Sequence, residues 1–237
     1  MNQPPVQEVA ASATLGRMVP QEHGRLGRLI AIEGPDGSGK SAQAERLRAA
    51  LAAAGVPVRI VREPGGTAAG ERVRAILLDA GDAGVRLGQR TDALLFNAAR
   101  AQLIEEVVRP ALAAGETVIS DRTFFSTLAY QGGGGGLEPG PLRAVCEFAT
   151  GGLVADRVLL LDIPVEVGLA RKSAEETTRF EAHFDRAFHE RVRTRFLALA
   201  AADPARWIVI DASAPVDDVF AAVAGAVADL VPAVSGS

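Results

Sequence analysis

Among its 237 residues the sequence holds a single cysteine, Cys146. No intrachain disulfide can form, so stability rests on a buried core and the natural setting is a reducing one, the cytoplasm. The surroundings of Cys146, "LRAVCEFA", read as one face of a buried helix rather than a reactive thiol site. Histidine is nearly as scarce. His23, His183 and His189 show no ligand spacing with other metal-binding residues and are read as solvent-facing or structural. Long apolar runs are lacking too, so no membrane span is expected. The best candidate, "VFAAVAGAVADLVPAV" (219–234), is interrupted by Asp229 and Pro232 and reads as a closing helix. An excess of positive charge is also missing: the formal net charge of −4 argues against general binding of nucleic acid or anionic membrane.

What is present is alternation. Apolar runs suited to buried strands occur at 28–33, 57–63, 117–121, 157–163 and 206–212, with helical patterns between them. Strands alternating with helices imply βαβ units, hence α/β architecture with a parallel sheet covered on both faces. Gly55 and Gly115 stand where helix C-caps are expected. Residues 1–27 carry neither sustained periodicity nor the basic and apolar regions of a signal peptide, and read as a flexible tail. Residues 28–237 then form a single domain. The run Gly132–Gly136 reads as a mobile loop.

Gly34 to Ser41, "GPDGSGKS", fits G-x-x-x-x-G-K-[ST] between a strand and a helix. Backbone N–H groups of Gly34, Pro35's successor Asp36, Gly37, Ser38 and Gly39 can converge on phosphate oxygens because little side chain intervenes. The following helix offers its positive end. Lys40, expected as an exposed loop lysine, neutralises β/γ charge, and the Ser41 hydroxyl can join a Mg²⁺ shell. The loop implies ATP or GTP but not the reaction. No N-K-x-D guanine-reading segment occurs, which weakens a GTPase reading. Asp121 in "TVISDR" and Asp162 in "VLLLDIP" both end apolar strands and could face the nucleotide. Asp121 is preferred as metal-side carboxylate because Arg122 follows it.

Further matches are "REPGGT" (62–67), "RVRAILL" (72–78), "LLFNAARAQL" (94–103), "DRTFFSTLAYQGG" (121–133), "DIPVEVGLAR" (162–171) and "TRFE" (178–181). In this order they resemble thymidylate kinases across essentially all of 29–212. The resemblance implies a three-layer α/β/α fold of P-loop NTPase type, with a five-stranded sheet, a short lid at about 170–182 and a homodimer. It implies transfer of the γ-phosphoryl of Mg-ATP to dTMP. By resemblance, Arg74 and Arg122 hold the dTMP phosphate, Phe96 stacks on thymine and Arg100, one helical turn later, bonds its edge. Thr127 and Tyr130 line base and deoxyribose, while Asp36 and Glu63 serve the 3′-hydroxyl and the metal-water network. On residues alone, Phe96 reads rather as a core phenylalanine, while Asp36 could be a loop brace and Glu63 a strand-end charge. Rival readings are a kinase of dUMP, dCMP or a modified pyrimidine monophosphate, and a weakly active nucleotide-binding regulatory relative.

One departure concerns the lid. Where some members of the family carry a catalytic arginine in the P-loop, this chain has Gly37, and the lid centre "SAEETT" holds no base. Thr178 also replaces the usual aspartate before Arg179. Transition-state charge is therefore expected to fall on Arg171 and Arg179, beside Lys40 and Arg122.

Overall fold

The computed structural model describes residues 26–78, 87–171 and 184–231. Strands β1 (Leu29–Glu33), β2 (Val58–Arg62), β3 (Thr117–Asp121), β4 (Arg157–Asp162) and β5 (Trp207–Asp211) form one parallel sheet, ordered β2-β3-β1-β4-β5. All of β1 and the centre of β4 are buried on both faces, which is why their sequences are continuous apolar runs rather than alternating ones. Successive residues still part company. Ile30 and Ile32 join Ile119, Leu159 and Leu161 beneath α1 (Lys40–Ala53) and α9 (Val216–Gly225). Leu29 and Ala31 join Val118, Val158 and Leu160 on the other face. There the cover comes from α3 (Gln89–Leu103), α5 (Phe124–Thr127), α6 (Pro139–Thr150) and α8 (Arg186–Ala202). The remaining helices are α2 (Ala68–Leu78), α4 (Arg109–Ala113) and α7 (Val165–Arg171). Cys146 is fully buried on α6, as its neighbours suggested.

One expectation needs correction. The glycine run is not a loop: α5 continues into a π-helical segment, Leu128–Gly134, that packs on α8. A Cβ at Gly134 would lie 2.5 Å from the Phe188 ring, so the missing side chain is what lets the two helices meet. Arg191 of α8 locks the contact by donating to the Gly134 carbonyl at 3.0 Å.

Of the segment read as a tail, Leu26 and Gly27 are among the described residues. Leu26 and Gly27 donate their backbone N–H groups to the Leu112 carbonyl, at 3.2 and 2.8 Å, supplying partners at the end of α4. Deleting residues 1–25 is therefore expected to leave melting temperature and activity unchanged, whereas extending the deletion through Gly27 should lower the melting temperature by a few degrees. Thermal melts of the two truncations check this; equal melting points would show that the two bonds contribute nothing. Most of the segment read as a lid, Arg179 and Thr178 included, lies outside the described residues, as do His23 and His183.

Candidate active site

The loop after β1 leads directly into α1, whose N-cap is Gly39 at φ 84°. That helix has neither a side-chain cap nor an acidic residue in its first turn, so its positive end is left for an external anion. Lys40 is buried rather than exposed: its Nζ donates to the Pro35 carbonyl at 2.7 Å and to Ser38 Oγ at 3.3 Å. Burial, with the Arg122 charge nearby, lowers its pKa to about 8 against the opposing pull of Asp36, Asp121 and Glu33. Ser41 Oγ donates to Asp121 Oδ2 at 2.5 Å. Asp162 goes elsewhere, accepting a bidentate pair from Arg193 of α8 at 2.8 Å each.

Gly37 explains itself through packing. Its φ is 75°, and a Cβ there would sit 2.0 Å from the Gly168 carbonyl oxygen of α7. An arginine at this position requires the backbone of α7 to move, so the P-loop cannot take up the charge that the lid centre lacks.

A cleft of about 680 Å³ opens at the carboxyl ends of the strands. It is lined by Asp36, Gly37, Gly39, Lys40 and Ser41 from the loop region and by Asp121 and Arg122 from the end of β3. Glu63, Arg74, Phe96, Arg100, Thr127, Tyr130 and Arg171 line it as well. Gly34, Pro35 and Ser38 do not; the last two sit against the Lys40 ammonium instead. Arg100 is nearly fully buried, with Nε on Glu63 Oε2 at 2.6 Å, Nη1 on Asn97 Oδ1 at 2.6 Å and Nη2 on Thr127 Oγ1 at 3.2 Å. Three of its five N–H donors are thus engaged, which fixes its plane and leaves two. Burial pushes the Glu63 carboxyl above the ordinary carboxylate range, and Arg100 pulls against it. Arg74 donates to the Pro64 carbonyl at 2.8 Å.

Arg122 has φ 73°, the one non-glycine residue with positive φ among those described. Its Nη2 meets Asp36 Oδ1 at 2.6 Å, its Nη1 meets Ser126 Oγ at 3.2 Å, and its guanidinium lies 5.2 Å from the Tyr130 ring centre. Burial works against its charge, and Tyr130 first, then the carboxylates of Asp36, Asp121 and Glu33, outweigh that. Tyr130 is buried as well, and burial with the Asp36 charge holds its phenol neutral, well above its usual range. Arg171 reaches the loop after β5, donating to the carbonyls of Ala212 at 2.8 Å and Ser213 at 3.4 Å.

Some residues of the site were not anticipated. Gln131 lines the cleft, is almost wholly buried, and its Nε2 has no hydrogen-bond partner among the described residues. Reading the glycine run as a loop hid it; the π-helical segment places both Tyr130 and Gln131 on the cleft wall. Ser126 and Thr123 also line the cleft, and both are hydrogen-bonded to Glu33, the last residue of β1.

The family model for thymidylate kinase matches residues 32–223. The thymidylate kinase of Thermomicrobium roseum is 47% identical, covering 85% of this chain and 95% of that one. That of Pseudomonas savastanoi pv. phaseolicola is also 47% identical, over 83% and 93% of the two chains. That of Bifidobacterium longum is 45% identical, over 86% and 98%. With most of its length matched in this way, and the loop and arginines of the motifs drawn into one cleft, the chain belongs to the thymidylate kinase family.

Proposed function

We propose that the protein transfers the γ-phosphoryl group of ATP to dTMP, giving dTDP. The observation that carries this reading is the single cleft shared by two sets of groups: an uncapped helix N-terminus with Lys40, and the arginines Arg74 and Arg122 beside Phe96, Arg100 and Tyr130. The first set suits a triphosphate, the second a nucleoside monophosphate.

The chemistry asks little of a base. A monophosphate has its second pKa near 6, so at neutral pH its oxygen is already a nucleophile. The work is charge management in a confined space. Arg74 and Arg122 hold the acceptor phosphate, and Lys40 lies along the β/γ-phosphates. Ser41 Oγ and the Asp121 carboxylate form a hard oxygen pair suited to Mg²⁺, which takes one or two protein ligands beside substrate phosphates. When bound, the ion neutralises charge on the β/γ-phosphates.

Asp36, besides bracing Arg122, and Glu63, besides pairing with Arg100, present carboxylate oxygens toward the sugar and the metal-water network. Phe96 supplies the stacking face; the remaining Arg100 donors and the Gln131 amide supply base-edge contacts. The buried Tyr130 ring crowds the sugar at C2′. Arg171, tied to the loop after β5, and Arg179, outside the described residues, are the two arginines proposed to share the remaining work, one positioning the donor and the other meeting the transferring group. An arginine given to that group contributes roughly 10³–10⁵ in rate. The assembly is read as a homodimer: α3 packs on α2 and on α6, and these helices carry the exposed apolar residues Ile76, Leu94 and Phe148. No helix among the described residues is long and apolar enough to cross a membrane, and the lone cysteine supports a cytoplasmic setting.

A panel of monophosphates with Mg-ATP tests the reading: dTMP, dUMP, dCMP and ribothymidine monophosphate, with diphosphate formation measured by chromatography. The expected result is fastest turnover of dTMP and strong rejection of the ribonucleotide. Preference for another monophosphate, or nucleotide binding without transfer, would sink it.

The lowered pKa of Lys40 gives a pH prediction. With a pKa of about 8, much of Lys40 is neutral above that pH, and a polyphosphate must restore its proton on binding. ATP affinity should therefore fall as pH rises through 8, with proton uptake on binding. Calorimetry in buffers of different ionisation enthalpy at pH 8, comparing wild type with Lys40→Met, isolates the uptake due to Lys40. Equal uptake by both proteins would refute it.

A further inference from the structure

Glu33 ends β1 immediately before the phosphate loop, is fully buried, and does not line the cleft. Its carboxylate nevertheless accepts three short hydrogen bonds from a single neighbouring turn. Oε1 takes the Thr123 backbone N–H and the Thr123 hydroxyl, both at 2.7 Å; Oε2 takes the Ser126 hydroxyl at 2.7 Å. Proton positions along the chain are consistent with this direction. The Thr123 oxygen already accepts from the Phe125 N–H at 3.4 Å, and the Ser126 oxygen accepts from Arg122 Nη1 at 3.2 Å, so each hydroxyl proton is free for Glu33.

Arg122 immediately precedes these anchors. Its backbone is in the left-handed region, which a residue with a side chain rarely adopts and keeps only if its surroundings hold it. Glu33 pins the residue after it and the serine four residues on; Ser120 Oγ donates to its carbonyl at 2.6 Å and its N–H reaches the Ile32 carbonyl at 3.0 Å. The guanidinium is then fixed at two points, Ser126 and Asp36.

We propose that Glu33 is a positioning residue for the acceptor phosphate: by holding Thr123 and Ser126 it keeps Arg122 in its strained turn and aims the guanidinium into the cleft. This rests on the reading of Arg122 as a ligand of that phosphate. Replacing Glu33 by glutamine keeps the shape but turns one acceptor into an NH₂ group. That group must donate to Ser126 Oγ, the atom that orients Arg122, and so reverses the polarity of the link. The negative charge facing Arg122 is lost at the same time.

The test compares dTMP with thymidine, which lacks the phosphate, by calorimetry on folded full-length protein. Glu33→Gln should weaken dTMP about tenfold or more, the loss expected of a charge-assisted contact that has slipped, and leave thymidine unchanged. In an Arg122→Ala background the same substitution should add nothing, because the residue it acts through is gone. Equal weakening of thymidine and dTMP would make Glu33 a general structural support. Additivity with Arg122→Ala would show that it acts by another route. Either result overturns the proposal, as does dTMP binding at the wild-type level. If Arg122→Ala alone fails to weaken dTMP, the phosphate reading falls first, and this inference with it. Should Glu33→Gln fail to fold, Ser126→Ala removes the same link with a smaller change, and must weaken dTMP over thymidine for the proposal to stand.

Discussion

Lys40→Ala should lower phosphoryl transfer by at least about 10³-fold, comparable to the loss of a preorganised charge donor at a transferring group. Its melting temperature should stay at the wild-type value or rise. The reason lies in the burial of the ammonium. Because the fold depresses the pKa to about 8 from 10.5, it disfavours the charged form. That penalty is fully present below pH 8 and disappears as pH climbs past the unfolded value. Removing the amine at pH 7 relieves the penalty, and the space it vacates opens on the cleft that Lys40 lines, so water can take its place at the Pro35 carbonyl. Single-turnover transfer and thermal melts at pH 7 check both halves. Turnover near wild type would refute the phosphate role, and a large fall in melting temperature would show Lys40 to be a structural brace of its loop.

Arg100→Ala should be the most destabilising single change at the site. Arg100 and Glu63 are 3% and 8% exposed in their side chains and meet at 2.6 Å. Removing one partner of such a buried pair typically costs about 3–5 kcal/mol, since the remaining charge is stranded. Asn97 Oδ1 and Thr127 Oγ1 lose a donor in the same step. The pH dependence has a definite sign. Glu63 already has its pKa raised above the ordinary 4.5 by burial, and without Arg100 it rises further. A carboxyl raised in the folded state destabilises the fold above its folded pKa and ceases to do so below its unfolded one. The loss should therefore shrink as pH is lowered from 8 toward 5. Denaturant unfolding across that range measures it, and Arg100→Ala/Glu63→Gln should recover part of the loss. A pH-independent deficit would mean that lost packing, rather than a stranded carboxylate, is responsible.

Much of this protein is legible because its signals are local. Eight contiguous residues, Gly34 to Ser41, specify a phosphate loop, since turn geometry and helix polarity act over that distance. Five apolar runs announce strands, because a parallel strand covered on both faces has no polar side to show. Many of the residues in the family motifs line one cleft, though Gly34, Pro35 and Ser38 do not and Arg179 lies outside the described residues. The burial of Lys40, by contrast, depends on how its side chain folds back onto Pro35 and Ser38, which no spacing reveals. The Gly132–Gly136 run looks like a loop until α8 is packed against it. Asp121 and Asp162 show the division most clearly, for both end apolar strands and both are candidates on sequence. Sheet order separates them. Asp121 pairs in register with Ile32 of β1, placing it beside the phosphate loop and Ser41. Asp162 lies on the opposite neighbour, within reach of Arg193 of α8. A chain can encode which residues carry charge at strand ends, but which of them reaches the loop is a matter of strand neighbours, and those form only when distant segments meet.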